Sequence, residues 1–270
     1  MSQAKSKIRA LIFDWAGTTV DHGSLAPVLT LERVLADAGV GVPQAVIRRD
    51  MGLAKLDHIA RLLREPETVA AWQAAHGEAP PAGAVDALYQ AFLPLQMECL
   101  LTYSHVLDGV PEAMARFRGM GLRIGSTTGY TRAMLDALMA SAASEGYAPE
   151  IALSPEDVGA GRPSPAMCLE ICRRFQLDPG ECIKIGDTVS DIEEGRNAGL
   201  WTIGVTRTGN MVGLSLQAWL ALPQAERQLR LTAATAEFVK AGAHEVAESV
   251  ADCLPQIQAM QKRMDGGERP

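Results

Sequence analysis

The chain has 270 residues, 47% of them hydrophobic and 21% charged, and 25 Lys and Arg stand against 32 Asp and Glu for a formal net charge of -7. This composition supports one sizeable core and a second, smaller one, that is, one domain plus an insertion. The acidic balance excludes a broad basic surface for nucleic acid or anionic lipid, so an anionic ligand must be a small molecule held by a local cluster. Five scattered cysteines (99, 168, 172, 182 and 253) and an N-terminus without an apolar stretch lead to the expectation of reduced thiols and a cytoplasmic protein.

The first apolar run, Ile8–Phe13, delivers Asp14 into Trp15-Ala16-Gly17-Thr18-Thr19 and reads as a buried strand. In an open α/β sheet the carboxyl end of such a strand faces the ligand, although a lone aspartate there more often closes a turn. Residues from about Leu25 to Leu101 carry helical periodicity without any strand run. They read as a helical insertion, with Gly77–Gly83 as an internal loop and with hinges at Asp21-His22-Gly23 and Thr102-Tyr103-Ser104. Further strand runs follow at 122–126, 151–153, 183–185 and 201–205, separated by helix-like segments, and this alternation predicts a doubly wound parallel sheet. Thr131 is positioned to cap a helix over 132–141, and Ser190 with Glu193 makes a capping-box pattern for a helix ending near Gly199. Beyond Val205 the chain is expected to be mainly helical, ending in a polar, disordered tail.

Four polar clusters fall at the predicted strand ends: Asp14, then Ser126-Thr127-Thr128-Gly129, Gly161-Arg162-Pro163-Ser164-Pro165, and Gly186-Asp187-Thr188-Val189-Ser190-Asp191. Carboxylates, a hydroxyl, helix N-termini and a permanent cation on one sheet edge suit phosphate with Mg²⁺, with Asp14 able to attack phosphorus. The ordered segments FDWAGTT, STTGYT, GRPSP and GDTVSD resemble the four motifs of the haloacid dehalogenase (HAD) superfamily across most of residues 8–205. The resemblance implies a Rossmann-like core of residues 1–22 and 103–263, a helical cap of 23–102 and a tail of 264–270. It also implies Asp14 as nucleophile, Thr128 as the phosphate-binding hydroxyl, Arg162 in place of the usual lysine, and Asp187 and Asp191 in the metal region.

One departure narrows the reading. Where superfamily phosphatases and phosphomutases carry an acid two residues after the nucleophile, this chain has Ala16, which still offers a backbone carbonyl to the metal. Losing that acid removes a general-acid contribution of ~10²–10⁴-fold for an alkoxide leaving group, so the chemistry should need no proton there. In the predicted cap, Met51-Gly52-Leu53-Ala54-Lys55-Leu56-Asp57-His58 sets Lys55 and His58 on one side of a helix, at the border of its apolar face. Taken alone, such a lysine is an ordinary solvated side chain. The segments FDWAGTTVD, MGLAKLDH, GSTTGYTR and GDTVSDIEEGRNAG, however, resemble the phosphonatases, the branch of the superfamily that cleaves C–P bonds. This implies a Lys55 Schiff base with phosphonoacetaldehyde as substrate, in 2-aminoethylphosphonate degradation. A protonated imine accepts the electrons that a simple C–P cleavage would leave as a carbanion. Met51, Gly52 and Tyr130 are then expected beside the substrate, His58 as a proton shuttle or as part of the cap surface, and Asp191 as a supporting group or a helix-dipole partner. A homodimer is implied by the same resemblance. The rival readings are a phosphate-ester phosphatase or phosphomutase, whose activity survives loss of Lys55, and a noncatalytic phosphate-binding module.

Overall fold

The computed structural model describes residues 7–270; the N-terminal segment read above for its polarity lies in part outside them. Six parallel strands, β1 (Ala10–Phe13), β2 (Arg123–Thr127), β3 (Ile151–Leu153), β4 (Cys182–Gly186), β5 (Trp201–Val205) and β6 (Glu245–Ala247), lie in the order β3-β2-β1-β4-β5-β6. The order reverses between β1 and β4, and the crevice beyond the carboxyl ends at that reversal is where doubly wound sheets bind ligands. Strand β1 is buried throughout, and its residues alternate between two apolar layers. Leu11 and Phe13 join a cluster with Met114, Phe117 and Ile257, while Ala10 and Ile12 join Met167, Ile171 and Phe175 on the other face.

Strand β6 is a correction to the expectation of helix beyond Val205: three residues, two of them only partly buried, are too short to show a strand period. The last helix, Leu254–Asp265, runs past the start of the polar tail. There Arg263 lies over the Trp201 ring at 4.9 Å and donates from Nε to Glu268 at 2.9 Å.

Between β1 and β2 the chain forms the helices Leu25–Asp37, Gln44–Ile47, Lys55–Leu62, Pro66–His76 and Ala84–Thr102 before the sheet-packing helix Val110–Gly119. Val20 and Val106 meet in an isolated antiparallel bridge, so this insert leaves and rejoins the sheet layer at adjacent points. Asp21, in the left-handed region at φ 57°, accepts 2.9 Å bonds from the backbone N–H groups of Leu25 and Ala26 and so caps the first inserted helix. The insert does not have a core of its own: Val28, Leu31, Trp72 and Phe92 belong to the same apolar cluster as Leu11 and Phe13.

Candidate active site

Each strand on either side of the reversal ends in a carboxylate. The Asp14 N–H donates to the Ile185 carbonyl at 2.9 Å, which carries the β1–β4 ladder one residue further and sets the Asp14 side chain over the crevice. Trp15 turns inward, fully buried, and donates from Nε1 to Ser126 Oγ at 2.9 Å, fixing the strand end against β2. The following turn brings Gly17 against Asp187; at φ +81°, a Cβ on Gly17 would stand 2.1 Å from Asp187 Oδ2, so only glycine fits. Asp187 follows β4 and accepts a 2.7 Å bond from the Asn210 backbone N–H, with the Thr18 hydroxyl at 3.4 Å.

Arg162 crosses beneath these groups. Its guanidinium contacts Asp14 at 2.7 Å, Asp191 at 3.0 Å and Glu194 at 2.9 Å, and donates to the Thr127 carbonyl at 2.8 Å and the Gly52 carbonyl at 3.4 Å. The stiff proline-flanked loop therefore holds a cation whose donors are already engaged inside the protein. Sequence reasoning set Arg162 beside the strand-end carboxylates but missed Glu194 and Lys184. Lys184, wholly buried on β4, lies 2.9 Å from Asp191 and 3.2 Å from Glu194 and donates to Thr127 Oγ1 at 2.7 Å. The signal was present, since a lysine in the otherwise apolar Cys-Ile-Lys-Ile-Gly strand is an anomaly for a strand covered on both faces.

Asp191 sits elsewhere on its helix than the sequence suggested. Thr188, not Ser190, caps the helix Val189–Asn197, in a capping box whose third residue is Asp191; the Thr188 hydroxyl donates to Asp191 Oδ2 at 2.6 Å. The Thr-Val-Ser-Asp and Ser-Asp-Ile-Glu patterns overlap, and packing selected the first. Ser190 instead faces the insert, donating to the Met51 carbonyl at 3.4 Å.

The inserted helices close the other side. Asp14, Ala16, Met51, Gly52, Lys55, Thr128, Gly129, Tyr130, Arg162, Asp187 and Thr188 line one cavity, shared with Ser24 and Pro27. Glycines permit the close approach: a Cβ on Gly129 would lie 2.4 Å from the Leu53 carbonyl oxygen, and one on Gly52 the same distance from Thr188 Oγ1. Lys55, the first residue of its helix, is 5% exposed, and His58 is wholly buried; neither lies at an exposed border of the helix. The turn over residues 48–54 folds them against the sheet edge, which their helix's own periodicity could not reveal. Lys55 Nζ is 3.7 Å from Met51 Sδ and 5.5 Å from the Tyr130 ring centre, and it makes no ion pair among the described residues. His58 Nε2 lies 2.8 Å from the Ile47 carbonyl, so it carries the proton and donates, and the unpartnered Nδ1 is an acceptor. Thr128 Oγ1 accepts from the Tyr130 N–H at 3.1 Å, which leaves its own proton for the cavity. The Tyr130 hydroxyl is buried without a hydrogen-bond partner among the described residues.

Burial sets the protonation states. It pushes Lys55 down from 10.5 to about 8, with Arg162 adding to the fall and Asp14 opposing it. His58 falls to about 3, first through burial and then through the Lys55 charge, and is neutral. Asp14 is raised by burial against the pull of Arg162, and Asp187 is raised well above the carboxylate range by burial and by Asp14 and Asp191. Asp191 is held below that range by Arg162 and Lys184, which overcome its burial.

Asp14, Asp187 and Asp191 each offer an oxygen within 4.8 Å of the others. Four buried carboxylates, with Glu194 the fourth, face two lasting cations, Arg162 and Lys184. Asp14 and Asp187 are the pair whose ionisation burial and neighbouring carboxylates oppose, and a divalent cation bound by hard oxygen donors would supply the charge that ionises both.

A parallel sheet with such a carboxylate cluster at its reversal point defines a phosphoryl-transfer type of α/β enzyme. The chain belongs to the haloacid dehalogenase-like hydrolases, whose family model matches residues 8–199. It is similar to the phosphonoacetaldehyde hydrolase of Nitratidesulfovibrio vulgaris (strain DSM 19637 / Miyazaki F), at 41% identity over 97% of this chain and 94% of that protein. It is also similar to the phosphonoacetaldehyde hydrolase of Bacillus anthracis, at 38% identity over 95% of this chain and 98% of that one. Among solved structures, a phosphonoacetaldehyde hydrolase like protein from Oleispira antarctica superposes with a TM-score of 0.95 at 36% identity over the whole of both chains. A hydrolase from Pseudomonas syringae, at 17% identity over 93% of this chain and 98% of that one, shares the fold with a TM-score of 0.67. No helix among the described residues is long and apolar enough to cross a membrane.

Proposed function

We propose that this protein hydrolyses phosphonoacetaldehyde to acetaldehyde and phosphate, in the degradation of 2-aminoethylphosphonate. The observation that carries the reading is a buried lysine without an ion-pair partner among the described residues, its pKa lowered to about 8, in the same cavity as a strand-end carboxylate. The relatives named for that activity, similar over nearly the full chain, support the substrate.

In this reading the neutral Lys55 amine attacks the aldehyde carbon, and loss of water leaves a protonated imine. A free Asp14 oxygen attacks phosphorus while the C–P bond electrons move into the imine to form an enamine. No alkoxide leaves, so the absence of an acid at Ala16 costs little. Protonation of the enamine carbon and hydrolysis of the imine release acetaldehyde and return Lys55; water then hydrolyses the aspartyl phosphate. Neutral His58, with Nδ1 as acceptor, takes and returns the proton of the carbinolamine step. Tyr130 and Met51 pack about the Lys55 amine, Gly52 lets the cap turn approach, and Thr128 donates to the phosphonate. Arg162 holds Asp14, and Asp191 holds Arg162. Mg²⁺, held by Asp14, Asp187 and the Ala16 carbonyl, would neutralise phosphoryl oxygens during the transfer. Residues 23–102 serve as the cap on a core of 1–22 and 103–263, and the working form is a cytoplasmic homodimer.

The test couples acetaldehyde to an alcohol dehydrogenase while phosphate is measured in parallel, for the wild type and Lys55→Ala, with phosphate esters as controls. Equal yields of both products that vanish in Lys55→Ala fit the reading. Ester hydrolysis that survives in Lys55→Ala supports the phosphatase alternative instead.

A further inference from the structure

Lys55 reaches the carboxylates only because the turn before it is held against the sheet edge, and one pair of residues joins the two sides by the densest set of bonds. Arg48 ends the helix Gln44–Ile47 on the inserted side, while Asn210 lies in the loop after β5. Arg48 donates to Asn210 Oδ1 at 2.9 Å, to the Gly23 carbonyl at 2.9 Å and to the Gly213 carbonyl at 3.1 Å. Asn210 Nδ2 donates back to the Arg48 carbonyl at 3.0 Å, and the same carbonyl accepts from the Met51 N–H at 3.3 Å. The Asn210 backbone N–H bonds Asp187. A continuous line of hydrogen bonds therefore runs from Met51, four residues before Lys55, through Arg48 and Asn210 to Asp187.

Asn210 is 4% exposed, and Gly213 at φ +66° leaves room for the guanidinium where a Cβ would stand 2.8 Å from Arg48 Nε. All of the acceptors of Arg48 are neutral; of the carboxylates acting on it, Asp187 acts most strongly. A planar guanidinium places donors on two nitrogens at once, as Arg48 does here, and the single nitrogen of an ammonium cannot.

We propose that Arg48 and Asn210 are positioning residues that set the Lys55 amine against Asp14 and Asp187 as one unit. The proposal rests on the Schiff-base reading. The remaining hydrogen bonds between the turn and the sheet edge among the described residues, from Arg162 to the Gly52 carbonyl and from Ser190 to the Met51 carbonyl, are each 3.4 Å and weaker.

The test compares Arg48→Ala, Asn210→Ala, the double variant and Arg48→Lys with the wild type, by kcat and KM for phosphonoacetaldehyde, melting temperature, and the rate of borohydride trapping on Lys55. Loss of hydrogen bonds to a charged group should lower kcat about 10- to 100-fold in each alanine variant. KM should change far less, and trapping should slow in parallel with kcat. The double variant should be no worse than the poorer single one, because the two residues act through one contact, and Arg48→Lys should fail to restore kcat. The proposal is overturned if either single alanine variant keeps kcat within about twofold of the wild type, if the two losses multiply, if Arg48→Lys restores full activity, or if the kcat loss disappears once the assay is cooled well below each variant's melting temperature. Wild-type turnover without any trapped Lys55 would instead overturn the Schiff-base reading, while the kcat pattern would still judge whether the pair acts as a unit.

Discussion

Replacing Asp14 with Asn should make Lys55 a better amine while abolishing phosphoryl transfer. Asp14 is the strongest group holding Lys55 in its charged form, against burial and Arg162. With the amine at about 8, about one Lys55 in eleven is neutral at pH 7, against about one in three thousand for an ordinary lysine, so the site as a whole raises the reactive fraction roughly 300-fold. Each further unit of fall matters: one unit would bring the neutral fraction at pH 7 to about one half. The assay is the rate of cyanoborohydride trapping of the phosphonoacetaldehyde imine across pH 6 to 10 (roughly the range that brackets both values). In the wild type the rate should rise with pH to a plateau, with its midpoint near the Lys55 value. In Asp14→Asn the midpoint should move down, and the adduct should form without release of phosphate. A midpoint that stays put or rises would refute the electrostatic argument, and a wild-type midpoint near that of a free lysine would refute the burial argument.

Three further outcomes follow from the same charges. The unfolded lysine keeps its proton up to about pH 10.4 and the folded one releases it near 8, so the unfolded chain binds more protons in that window and stability rises with pH across it. Lys55→Met should therefore stabilise the inactive protein by up to about 3 kcal/mol at pH 7, and the gain should vanish above about pH 10.5, as read by urea unfolding at several pH values. Glu194→Gln removes the carboxylate shared by Arg162 and Lys184 and should cost about 3–5 kcal/mol in the same assay. A divalent cation should raise the melting temperature, by the equivalent of about 2.7 kcal/mol at a hundredfold excess over its dissociation constant, and Asp187→Asn should lose most of that response.

The residues that sequence reasoning located best are those whose place follows from a strand end. Asp14, Thr128 and Asp187 each follow an apolar run, and a parallel sheet must bring such ends together. The runs at 151–153 and 201–205 match β3 and β5 to the residue. Lys55 was a different case, since helical periodicity put it at the edge of an apolar face and only the resemblance made it chemical. Its burial depends on Arg48, Asn210 and the glycines that let the turn touch the sheet, contacts between segments distant in the chain, 162 residues apart for Arg48 and Asn210. The Lys184–Glu194 pair was readable only as an exception, a charge inside a strand that should have been apolar. The choice between Thr188 and Ser190 as cap was not decidable from spacing, because both offer an acidic residue three positions on. Strand β6 was hidden by its length, and the pairing of Arg263 with Glu268 is one that polarity alone does not reveal.

The central claim is that Lys55 and Asp14 act on one substrate, and it is tested most directly by trapping. The protein is incubated with phosphonoacetaldehyde, Mg²⁺ and borohydride, and the adduct is mapped by mass spectrometry. The account predicts a reduced two-carbon adduct on Lys55 that accompanies complete inactivation. Turnover that continues untrapped, or an adduct on any other lysine with Lys55 unmodified, would contradict it.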